Sequence, residues 1–89
     1  MPSVDATIVN KLGLHARAAA KLTHIAGGFQ SEIWLSRSGR RVNAKSIMGV
    51  MMLAAGQGTS VQIQAEGADA EQAIAALTKL IADKFGEGE

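Results

Sequence analysis

The spacing of apolar residues divides the chain into short runs with distinct periods. Residues 6–9 form a β-prone alternating run that ends in a loop over 10–13. Helix formers continue from Ala16 to Ala26, and Gly27-Gly28 supplies the expected left-handed stop. In this helix Ala19, Leu22, Ile25 and Ala26 make an apolar stripe, while Arg17, Lys21 and His24 follow i, i+4, i+7 on another face. One face is expected to pack and the other to be basic.

Residues 32–36 alternate with Ile33 and Leu35 on one side, Ser38-Gly39 turns the chain, and residues 40–43 return as a paired strand. Ser46 then precedes Ile47-Met48-Gly49-Val50-Met51-Met52-Leu53, one or two helical turns interrupted by Gly49 and ended by Gly56-Gln57-Gly58. Residues 61–65 alternate cleanly, with Val61, Ile63 and Ala65 inward and both glutamines outward. Asp69 caps a last helix from Ala70, with Gln72 completing a capping-box pattern; Ala70, Ala73, Ile74, Leu77, Leu80 and Ile81 form its apolar face.

The order is βαββαβα, without repeat or linker, in one domain over 1–89 whose tail, 86–89, is expected to fray. Four short strands must share a sheet whose alternation leaves one face open to water. This predicts an α+β two-layer open-faced sandwich, a four-stranded antiparallel sheet with helices on one face. Trp34, out of phase with Ile33 and Leu35, belongs on the open face.

Composition narrows the function. With 89 residues the chain has room for one core and for work on a surface, not in a deep pocket. No apolar run approaches the roughly 20 residues that span a bilayer, the first residues lack the pattern of a signal peptide, and there is no cysteine. A cytoplasmic protein without membrane insertion is expected. A net charge of +1 and only two Phe and one Trp argue against nucleic acid. The cations Lys11, Arg17, Lys21, Arg37, Arg40, Arg41 and Lys45 nevertheless all fall in the first 45 residues, which suits a basic surface for an acidic protein partner.

The chemistry concentrates at Gly13-Leu14-His15-Ala16-Arg17, a histidine between a glycine break and a helix start. An exposed neutral imidazole there is a nucleophile. Attack on phosphorus would place a phosphoryl group among the first free helical N–H groups, those of Ala16 and Arg17, with the Arg17 guanidinium as counter-charge. Noncovalent anion binding by a small α+β interaction module is the alternative, and a histidine without a task is the plainest reading. His15 and His24 lack acidic or cysteine neighbours at ligand spacing, so no metal or cofactor is expected. Residues 39–46 match a phosphate-binding loop pattern except at Ala44, but bulky residues in a hairpin strand argue against a nucleotide cradle. Ser46 reads as an N-cap that would also tolerate a phosphate. The cluster 47–53 holds more apolar residues than a short helix can bury, which leaves Met48 or Met51 as a docking knob.

Gly13-Leu14-His15-Ala16-Arg17 together with Lys45-Ser46-Ile47-Met48-Gly49-Val50 closely resembles the histidine-containing phosphocarrier (HPr) family of the bacterial phosphotransferase system, across essentially the whole chain. The resemblance implies that His15 accepts a phosphoryl group on Nδ1 from phosphorylated Enzyme I, charged by phosphoenolpyruvate, and passes it to Enzyme II A-domains for sugar uptake. Arg17 matches the family's supporting arginine, and Ser46 the serine phosphorylated by HPr kinase/phosphorylase where one exists. Such a chain is an intermediate in phosphotransfer, without turnover of its own, and a monomer. Its docking surface would comprise Lys21, His24, Ile47, Met48 and Met51; a nitrogen-branch regulatory carrier is the variant within this class. The family's usual motif has proline after the arginine and often a hydroxyl residue before it. Ala18 and Ala16 stand at these positions, implying a less rigid first turn without a nearby hydroxyl.

Overall fold

A computed structural model describes residues 2–86. The elements run β1 (Ser3–Thr7), α1 (Ala16–Gly27), β2 (Glu32–Arg37), β3 (Arg40–Asn43), α2 (Ile47–Met52), β4 (Ser60–Glu66) and α3 (Ala70–Ala82), followed by a 3-10 turn, Lys84–Gly86. The strands form one antiparallel sheet in the order β1-β4-β2-β3. This is the α+β open-faced architecture that the alternation implies.

Strand period 2 sends Ala6, Ile33, Leu35, Val61, Ile63 and Ala65 to one face, where all are buried. The helices cover that face. α1 contributes Ala18, Ala19, Leu22 and Ala26, and α3 contributes Ala70, Ala73, Leu77 and Ile81. Ile25, Ile74 and Leu80, assigned to the same stripes from sequence, are half-buried at the rim. On the open face Trp34 is half-buried, with the Arg41 guanidinium carbon 4.1 Å from its ring centroid. Ser38 and Gly39, with φ of 50° and 81°, make the tight hairpin turn between β2 and β3.

Three local expectations need correction. β1 covers 3–7, not 6–9, because its boundaries follow its partner: Thr7 pairs with Ser60, and Ile8 is held by bonds with Thr59 and Gly58 beyond the strand. Gly28 ends α1 with a right-handed φ of −78°, its N–H donating to Ile25 O, so no left-handed stop occurs. Asp69 occupies the N-cap position of α3, but its carboxylate makes no cap and instead binds across the fold to Gln30 and Ser31. Long-range donors win over the local helix end.

The sequence pattern also misses Phe85. This ring is fully buried, and the 3-10 turn carrying it has positive φ at Lys84 and Phe85, both 55°. Of the tail expected to fray, Gly86 ends this turn with its N–H on Asp83 O, and 87–89 lie outside the described residues.

Candidate functional site

The loop from β1 into α1 is built around a buried asparagine. Asn10 Nδ2 donates to Gly13 O at 2.9 Å while Gly13 N–H returns a bond to Asn10 O at 3.2 Å, closing a turn. Gly13 has φ +67°, and a Cβ there would lie 2.5 Å from Ala55 O and 2.8 Å from Gly56 Cα. Only glycine fits that approach. Leu14 N–H then donates to Ala55 O at 2.9 Å, and its side chain is buried. The segment leaving α2 thus fixes the residue before His15.

His15 is the N-cap of α1, with extended backbone (φ −75°, ψ 178°). Its N–H donates to Gly13 O at 2.9 Å and its carbonyl accepts Ala19 N–H at 2.8 Å, the first bond of the helix. The N–H groups of Ala16, Arg17 and Ala18 therefore lie at the open helix end. The imidazole does not cap them. It is half-buried, less exposed than the sequence suggests. Ala16 and Arg17 are exposed, whereas Ala18 is fully buried in a first turn that forms without proline. A helix end with free donors, a guanidinium one position in and an imidazole at the cap can receive a phosphoryl group or bind an anion.

Ser46 is the N-cap of α2, its Oγ accepting Gly49 N–H at 3.1 Å, as its position in the sequence implies. α2 buries Val50 and exposes Ile47, Met48, Met51 and Met52; Leu53 goes into the core. α1 and α2 pack together. The arrangement gathers His15, Ala16 and Arg17 at one end of α1, the helix against which α2 packs. Lys21 and His24 continue along α1 and are exposed.

The expected basic surface is more committed than charge counting implies. Lys21 Nζ donates to Phe85 O at 2.7 Å and Lys45 Nζ to Phe29 O at 2.8 Å. Arg37 binds Leu53 O at 2.8 Å and Arg40 binds Met52 O at 3.2 Å, two carbonyls at the end of α2. The same contacts dispose of the nucleotide-loop pattern. Gly39 sits in the hairpin turn, 40–43 form β3, Lys45 reaches Phe29, and Ser46 caps a helix. Among the described residues no cluster of three or more His, Cys, Asp or Glu could hold a metal, and no helix is long and apolar enough to cross a membrane.

Sequence reasoning treats 10–13 as a plain loop and passes over Asn10 and Ala55, which hold Gly13 and Leu14, the two residues before the histidine. The spacing of Asn10 and Gly13 is the available signal. Nothing local marks Ala54, a non-glycine residue held at φ 51°.

Residues 2–83 match the family model described as the PTS HPr component phosphorylation site. The phosphocarrier protein HPr of Cupriavidus necator is 62% identical over 96% of each chain. A crystal structure of HPr-C-His from Thermoanaerobacter tengcongensis superposes with a TM-score of 0.95, at 52% identity and 98% coverage of both chains. A structure described as an HPr dimer from the same organism, also 52% identical, gives 0.79 over 98% of this chain and 100% of that one.

Proposed function

Because the chain belongs to the HPr phosphocarrier family of the phosphotransferase system, we propose that His15 is its phosphoryl acceptor. The observation that carries this reading is the placement of His15 at the α1 N-cap without capping it, on a loop fixed from both sides. The Nδ1 lone pair attacks phosphorus of phosphorylated Enzyme I, itself charged by phosphoenolpyruvate, as the bond to the donor breaks. The Ala16 and Arg17 N–H groups and the Arg17 guanidinium steady the phosphoryl oxygens. An Enzyme II A-domain then takes the group, in the cytoplasm, in support of sugar uptake.

Ile47, Met48 and Met51 form the apolar part of the docking surface, with His24 and the stem of Lys21 extending it along α1. The single domain works as a monomer, which light scattering checks against the dimer reported for the Thermoanaerobacter relative. Ser46 is the regulatory position: a phosphate there adds charge beside Ile47 and Met48, and HPr kinase/phosphorylase is the enzyme class that would install and remove it.

Incubation with phosphoenolpyruvate and Enzyme I should yield an acid-labile, alkali-stable phosphoryl adduct that an A-domain removes. His15→Ala should yield none. Equal labelling of that variant would refute the assignment, and saturable binding of a phosphorylated ligand without any adduct would favour a noncovalent module.

A further inference from the structure

We propose that the methionines of α2 form an oxidation-sensitive element of the docking surface, converted by hydroperoxides to sulfoxides, Met48 first, with loss of partner affinity but not of fold. This inference rests on the docking role assigned above. The chain has four methionines and no cysteine, and Met48, Met51 and Met52 lie in one six-residue helix. Apart from Met1, all of the protein's sulfur is therefore on this short surface element.

The core does not require these thioethers. Met48 is 73%, Met52 59% and Met51 42% exposed, while Val50 and Leu53 supply the buried contacts of the segment. The helix is also held by groups that oxidation leaves alone: the Ser46 cap at one end and the donors from Arg37 and Arg40 at the other. A thioether is apolar and adaptable, well suited to contacts with several partners. A sulfoxide carries a strong dipole that must lose its water on docking.

In the step itself a sulfur lone pair attacks one oxygen of hydrogen peroxide. The S–O bond forms as the O–O bond breaks, and the proton of the transferred oxygen passes to the departing hydroxide, which leaves as water. Sulfur is oxidised by two electrons and the peroxide is reduced. Exposure sets the expected order as Met48, Met52, Met51.

The test treats the full chain with graded hydrogen peroxide, maps sulfoxides by peptide mass, and measures phosphoryl transfer from phosphorylated Enzyme I. Conversion should raise the apparent KM roughly ten-fold, as expected for one poorly compensated polar group in a contact. The thermal midpoint should stay in place, and methionine sulfoxide reductases should restore the KM. In the Met48→Leu/Met51→Leu/Met52→Leu variant the ratio of treated to untreated KM should fall to about one, whatever that variant's own starting value. The proposal is overturned by a Met48 sulfoxide form with unchanged KM, by a loss that tracks unfolding, by failure of the reductases, or by a triple variant as sensitive as the parent. Untreated protein that accepts no phosphoryl group would sink the carrier reading and this inference together; normal transfer before and after oxidation would sink this inference alone.

Discussion

Asp69 and Ser31, 38 residues apart, are joined by two bonds to one carboxylate oxygen, from the Ser31 N–H at 2.9 Å and from its hydroxyl. The other oxygen accepts Gln30 N–H at 2.9 Å. Gly67 makes room for this clasp: a Cβ at that position, where φ is +146°, would lie 2.5 Å from Ser31 Oγ. The clasp ties the start of α3 to the segment between α1 and β2.

That geometry sets an acid limit on stability. The Ser31 hydroxyl first, and then the Gln30 N–H, hold the Asp69 carboxyl below its ordinary value, against a smaller opposing effect of desolvation. A lowered folded pKa gives stability that is complete above the unfolded value, about 4, and is lost as pH falls through the folded one. Asp69→Asn should melt below the parent at neutral pH. On acidification the parent should lose midpoint faster than the variant, so that the two curves converge. Calorimetry from neutral to strongly acid pH checks this, and parallel curves would deny the clasp its role.

Gly13 should be the least replaceable glycine near the histidine. Gly13→Ala combines a left-handed φ with a backbone collision at Ala55 and Gly56, for a cost of roughly 2–4 kcal/mol. Gly58 has φ +87° but open space around a Cβ, so Gly58→Ala should cost only about 1–2 kcal/mol. Because the collision lies two residues before His15, Gly13→Ala should also slow phosphoryl acceptance in the fraction that remains folded. Urea unfolding and a single-turnover transfer assay separate these effects; equal costs for the two glycines would show that the loop relaxes freely.

What was legible in the sequence follows the range of the interactions. Period and turn chemistry locate β3 at Arg40–Asn43 and the cap at Ser46 because both depend on neighbours a few residues away. The histidine and the helix start after it are legible for the same reason. The partners of charged and polar groups are not. Lys21 bonds to a carbonyl 64 residues on, Asp69 turns away from its own helix, and Phe85 enters the core from a turn that no periodic pattern announces. Counting Lys21 and Lys45 as free surface charge thus overstates how available their ammonium groups are. The support that Ala55 gives to Leu14, next to His15, is hidden likewise, since it acts through a backbone carbonyl and not through a recognisable side chain.

Ser46 offers a way to separate a structural role from a regulatory one at a single atom. Its Oγ holds Gly49 N–H at the start of α2, so Ser46→Ala should cost about 1 kcal/mol by leaving that donor without its side-chain acceptor. Aspartate caps as well as serine and favours the positive helix end, so Ser46→Asp should keep stability within about 0.5 kcal/mol of the parent. The two variants should reverse their order in phosphoryl transfer. Alanine adds no charge beside Ile47 and Met48, while aspartate places a carboxylate beside the apolar docking contacts, where it must give up water on docking, and should raise the KM for Enzyme I. Paired measurements of unfolding free energy and transfer kinetics decide the matter. If the variants transfer alike, charge at Ser46 is not the signal; if Ser46→Asp destabilises as much as Ser46→Ala, the cap geometry does not accept a carboxylate.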